Sequence, residues 1–127
     1  MKKAYKYLGI IIITLFFSVT AITLYWHREQ SINFNTIIPA SFNYCGSKVD
    51  RHNAEYIQLY NWLKNNKNGW VNTQASYVSK DIFKSNTITI YILKYSVVIN
   101  YTSNGNKYHQ VTKAKQQNEL VFQCKSS

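Results

Sequence analysis

Residues 87–106 read TITIYILKYSVVINYTSNGN, and their period is two. Ile88, Ile90 and Ile92 fall on one face of an extended chain, with Thr89, Tyr91 and Leu93 on the other. Lys94-Tyr95 make a tight link, after which Val97, Ile99 and Tyr101 alternate with Val98 and Asn100. Asn104-Gly105 tolerates the positive φ angles of a type I′ hairpin turn, so Lys107 to Lys113 is expected to return as a further strand. The polar run Lys115 to Asn118 then leads into a last expected strand, Leu120 to Cys124. Upstream, Ser76 to Val78 reads as a short strand, and Ile82-Phe83 as a packed turn or strand start. The expectation is an antiparallel meander of about four strands, which needs cover on one face.

The cover is read from residues 50–69. Tyr56, Leu59, Tyr60 and Leu63 stand at i, i+3, i+4 and i+7, one apolar stripe along a helix, with Ile57 and Trp62 at its borders. Asp50 or Asn53 can cap its start, and Gly69, after Asn65-Asn66-Lys67-Asn68, can take the left-handed conformation that stops it. Lys64 and Lys67 suit the negative end of the helix dipole. Phe42, Tyr44 and Cys45 are expected to begin the fold as an edge strand or extended segment, with Gly46 turning the chain. Cys45 and Cys124 are the only cysteines, and an even count in an exported domain reads as one disulfide. Closing that loop of about 80 residues stabilises on the order of 4 to 5 kcal/mol. The segment before the helix should then lie beside the last strand. The fold class expected is α+β, with one helix packed across a curved antiparallel sheet and one disulfide closing the domain.

Toward the N-terminus, Lys2, Lys3 and Lys6 precede an uncharged run from Tyr7 to Trp26. About 20 apolar residues at roughly 1.5 Å each span a bilayer core. Val19 and Ala21 offer a signal-peptide cleavage pattern, but the apolar run continues through Ile22, Leu24, Tyr25 and Trp26. Tyr25-Trp26 also suits an aromatic belt at the interface, which favours a retained anchor. The lysines belong on the cytoplasmic side. The expected plan is a cytoplasmic start at 1–6, a transmembrane anchor or uncleaved signal at 7–26, a tether at 27–41 and one exported domain at 42–127. The location expected is a bacterial inner membrane, crossed once, with the domain in the periplasm.

The formal net charge is +10, but the lysines are scattered and no basic block occurs. That distribution, with export, argues against nucleic acid; it reads first as a solvated, mildly basic surface and second as long-range steering of an acidic protein partner. Enzyme chemistry is poorly supplied. Glu29, Asp50, Glu55, Asp81 and Glu119 form no spaced carboxylate pair, and His27, His52 and His109 show no metal-ligand spacing. A cysteine nucleophile would need Cys45 or Cys124 unpaired, beside His52 or His109. Four glycines cannot supply a phosphate-cradling loop. No cofactor, metal or small-molecule substrate is expected.

The aromatic load is high, with 11 Tyr, 3 Trp and 6 Phe. Tyr and Trp supply contact area with little rotamer entropy, so an open sheet face carrying Tyr91, Tyr95, Tyr101 and Tyr108, rimmed by Lys94 and Lys107, is the first candidate partner surface. Trp70 with Tyr77 is the second. The lysine-led anchor, the tether, the Cys-flanked domain with a helix ending in Asn68-Gly69-Trp70, and the Tyr-rich hairpin together resemble small membrane-anchored periplasmic immunity proteins. These protect bacteria from toxins delivered by contact-dependent or type VI secretion. The resemblance implies stoichiometric binding of one toxin without turnover. A structural subunit of a cell-envelope assembly is the alternative, and a small hydrolase the least favoured reading.

Overall fold

A computed structural model of the chain describes residues 2–104 and 106–124. The N-terminal run forms one uninterrupted helix, α1 (Lys2–Trp26), in which no residue is buried. A helix of this length and apolar character, with no protein packed around it, fits a membrane anchor or signal sequence and not a core helix. Its polar residues are reconciled with an apolar surround locally. Thr14, Ser18, Thr20 and Thr23 each donate the hydroxyl to the carbonyl four residues earlier.

The rest folds as α+β around a seven-stranded antiparallel sheet. The strands are β1 (Ser41–Tyr44), β2 (Ser47–Asp50), β3 (Val71–Asn72), β4 (Asp81–Lys84), β5 (Ile88–Ile92), β6 (Ser96–Ser103) and β7 (Lys107–Ala114). Their order across the sheet is β2-β1-β4-β5-β6-β7-β3. Strands β5, β6 and β7 match the meander read from residues 87–113, β4 forms at the expected turn or strand start Ile82-Phe83, and the seven strands exceed the four or so expected. One source of the extra strands is the turn at Cys45-Gly46. Both residues have positive φ, +53° and +74°, and Tyr44 pairs directly with Ser47. A two-residue turn of that kind closes a hairpin, so β1 is not an edge but lies inside, between β2 and β4. The other is Val71-Asn72, two residues that register with Thr112 and Val111 at the far edge.

The inner face carries Phe42, Tyr44, Phe83, Ile88, Ile90, Ile92, Val97, Ile99 and Val111, all buried. Helix α3 (Ala54–Asn65) covers it with Tyr56, Leu59 and Leu63, as the stripe predicts. Asn53 holds the N-cap position, but its side chain points backward and accepts from the Asp50 N–H at 2.8 Å. Gly69, with φ +80°, turns the chain after the helix and delivers Trp70 into the core.

Three expectations are corrected. Residues 27–41 are not a free tether. Gln30 pairs with Trp70 through both backbone hydrogen bonds, Ile32 and Phe34 are buried, and 34–37 form a single helical turn, α2 (Phe34–Ile37). Only 27–29 link α1 to the folded part. The apolar side chains of that Asn-rich stretch outweigh its polar ones once a core is there to receive them.

Leu120 to Cys124 is not a strand. Leu120 and Phe122 are buried and Val121 exposed, the alternation of a strand, but among the described residues the segment joins no strand and instead caps the inner face. Phe122 packs against Phe83 and Tyr44 at 5.0 and 5.9 Å between ring centres. From there the chain reaches the expected disulfide, with Cα atoms of Cys45 and Cys124 5.6 Å apart.

Ser76 to Val78 is not a strand either. It belongs to the crossover 73–80, which must travel from β3 at one edge to β4 across three strands. It does so on the outer face, where Gln110 donates to the Ala75 carbonyl at 2.6 Å and Ser79 donates to the Ile92 carbonyl. Outer-face Val98 is completely buried in consequence. The turn expected at Asn104-Gly105 includes Gly105, outside the described residues; Asn106 beside it has φ +62°.

Candidate functional site

The six residues proposed for one open face do not share one. Register places Tyr101 opposite His109 and in line with Val97 and Ile99, on the inner face. There its ring stacks on His109 at 5.0 Å, and burial raises the phenol's pKa. Tyr91 and Tyr108 lie on the outer face, partly crossed by 73–80. Alternation alone separates them, because the odd-numbered residues of β6 face the core while the even-numbered residues of β7 face away. The second candidate pair fails for a different reason. Trp70 is fully buried, donates its indole N–H to the Asn66 carbonyl at 2.7 Å, and packs edge-on to Phe34 and Trp62. Tyr77 remains half-buried, its hydroxyl 2.8 Å from that of Thr73.

The exposed members fall at two ends of the strands, about 23 Å apart along the eight residues of β6. At one end is the β5–β6 turn. Lys94 and Tyr95 are exposed, with the Lys94 ammonium 5.0 Å over the Tyr95 ring. The turn is held from behind by Lys115, whose N–H donates to the Tyr95 carbonyl at 2.9 Å and whose ammonium donates to the Lys94 carbonyl at 3.0 Å. Burial lowers the Lys115 pKa, partly offset by Glu119. Exposed Lys80 follows Ser79 at this same end. This is a cationic, aromatic and pinned projection.

At the other end, a cleft of about 440 Å³ runs between the last turn of α1 and the start of β7. Tyr25, Trp26, Gln30, Asn72, Lys107, Tyr108 and His109 are among its walls. Strand β3 pairs only with Val111 and Thr112, so β7 outruns it, and among the described residues no strand pairs with Lys107 to His109 on the side away from β6.

Within that end, the Ser103 hydroxyl lies 3.0 Å from the His109 Nε2. A serine nucleophile needs its base oriented by a third group. Among the described residues no carboxyl group hydrogen-bonds the ring. Asp81 accepts from the Tyr44 hydroxyl at 2.7 Å, Glu119 from the Trp62 indole at 3.3 Å, and Asp50 from His52. The Ser103–His109 contact is a clasp across the last rungs of a hairpin. His52 is almost wholly exposed, and its backbone N–H, then its ring, hold the Asp50 carboxyl below the usual range. Among the described residues no cluster of three or more His, Cys, Asp or Glu could hold a metal ion, and both cysteines are consumed by the disulfide.

The pinned turn and the cleft beside α1 were out of reach of periodicity, since each depends on which segments the topology brings side by side. The one local clue was Lys94-Tyr95, a charged-aromatic pair in a two-residue link. No protein-family model, curated protein or solved structure matches the chain.

Proposed function

We infer that the chain is a membrane-tethered binding module of the bacterial periplasm, an immunity-type inhibitor that blocks one exported protein partner by stoichiometric binding and turns nothing over. The observation that carries this reading is the Lys94–Tyr95 turn. It is exposed, cationic and aromatic, fixed by a buried lysine, and set at the opposite end of the strands from the anchor. An exposed tyrosine beside Lys94, with exposed Lys80 at the same end, suits an acidic protein surface, with charge speeding encounter and the aromatic contact slowing release. Export is supported by the three lysines that precede the apolar helix and by the disulfide, which persists in oxidising compartments.

The test is capture from cell envelopes with the full chain, comparing the natural sequence with a Lys94→Glu/Tyr95→Ala double variant. One partner in stoichiometric yield, lost from the double variant, is the expected result. The same proteins recovered by both would sink the assignment of this turn, and a recovered partner that is chemically processed would sink inhibition without turnover.

A further inference from the structure

We propose that the membrane-side cleft is a docking surface for the headgroups of anionic phospholipids in the leaflet that α1 enters, so that the domain rests on the bilayer by its β7 edge. The first ground is reach. Helix α1 ends at Trp26 and Gln30 is already hydrogen-bonded to Trp70, so the four steps between them span at most about 14 Å. The headgroup layer is itself about 5 to 8 Å thick. Whatever the tilt of the helix, the edge formed by residues 30, 70–72 and 107–110 stays within or just above that layer.

The second ground is chemistry. Tyr25 and Trp26, the aromatic pair at the helix end, line the same cleft as Lys107 and Tyr108. The anchor's interfacial belt is therefore continuous with the folded domain, and Tyr108, 61% exposed, extends it. Lys107 lines this cleft, and Arg28 and Glu29 line the adjoining one, so the described lining side chains carry a cationic excess that favours anionic headgroups. The edge at Lys107 to His109, which no described strand covers, offers backbone groups that need a polar environment, which a headgroup layer provides.

This docking rests on α1 being retained, so the experiment begins with an intact mass on the purified full chain. A shortened chain would remove the anchor reading and the docking with it. Full-length protein carrying Tyr108→Cys, labelled with an environment-sensitive fluorophore, is reconstituted into phosphatidylcholine vesicles with or without phosphatidylglycerol and a headgroup-nitroxide quencher lipid. Lys48→Cys, on the exposed edge strand β2, is the reference site, five strand spacings or about 24 Å away.

Quenching at position 108 should exceed that at 48 and increase with phosphatidylglycerol. Lys107→Glu should weaken the anionic preference, about fivefold for each cationic side chain at the surface. Because position 107 is exposed, this variant keeps the fold, and unchanged thermal unfolding verifies that. Equal quenching at the two sites would overturn the docking. Greater quenching at 108 that ignores both phosphatidylglycerol and Lys107→Glu would overturn anionic headgroups as its occupant.

Discussion

The two ends of strands β5 to β7 are built from the same ingredients in different settings. Each presents a lysine followed by a tyrosine, Lys94-Tyr95 at one end and Lys107-Tyr108 at the other. At the first, the turn is closed in two residues and pinned by Lys115 from the interior. At the second, β7 outruns its neighbour and its edge faces the end of α1. Residue type does not separate the proposed partner-binding projection from the proposed membrane-resting edge. Distance from the anchor does.

The largest effect should come from severing what holds the two ends to one core. Replacing Cys45 by Ser is expected to cost on the order of 4 to 5 kcal/mol, since the bridge closes a separation of 79 residues. Urea unfolding of oxidised and variant protein measures it, and a loss below 1 kcal/mol would mean that the C-terminal segment holds its place through Leu120 and Phe122 alone.

Trp70→Ala comes next, at about 3 to 5 kcal/mol for a fully buried indole. It should also distinguish the ends. Amide exchange is expected to accelerate around Gln30 and Phe34 on the membrane side, while the Lys94–Tyr95 turn stays protected. Uniform acceleration would show that the ends do not open separately.

Alkaline pH probes the core beneath Tyr44. Burial, and then the hydrogen bond to Asp81, raise the Tyr44 pKa well above that of a free phenol, and burial raises that of Tyr101. A raised folded pKa gives stability that is whole below about pH 10 and lost as pH climbs through the folded value. Lys115 acts in the other direction. Its lowered pKa makes the protonated lysine a cost that rising pH relieves up to its free value. Stability should therefore fall above pH 10, and Tyr44→Phe should flatten that fall while costing about 0.5 to 1.5 kcal/mol at neutral pH. An unchanged alkaline slope in Tyr44→Phe would assign the fall to Tyr101.

The smallest effect on stability belongs to the proposed binding turn. Lys94→Glu/Tyr95→Ala should leave unfolding within about 0.5 kcal/mol of the natural chain while weakening partner capture tenfold or more. Exchanging residues 7–26 for an unrelated anchor should leave capture intact. Capture lost with the anchor but kept in the turn variant would favour a subunit of an envelope assembly.

Much of this architecture was legible in the chain. The alternation in 88–92 and 97–101 specified the central strands, because a buried face selects every second residue. The Tyr56-Leu59-Leu63 stripe specified α3, and the unbroken run from Tyr7 to Trp26 specified the apolar N-terminal helix. The candidate surface was legible only in part. Aromatic content alone groups Tyr91, Tyr95, Tyr101 and Tyr108 on one face, which the register splits, and the Trp70-Tyr77 pairing puts at the surface an indole that the fold buries. A short apolar word such as Ile32-Asn33-Phe34 or Gly69-Trp70-Val71 carries no period from which burial can be read.

By itself, then, the sequence determined what depends on local periodicity and on unbroken apolar length: the apolar N-terminal helix, the covering helix, the central meander and the cysteine pair. Only the tertiary structure decided what depends on non-local company. It placed Phe34 and Trp70 in one core, sent 73–80 over the outer face, and set one lysine–tyrosine pair beside the anchor and the other far from it. Burial is a property of neighbours brought together by the fold, and neighbours distant in sequence leave no mark in a local pattern.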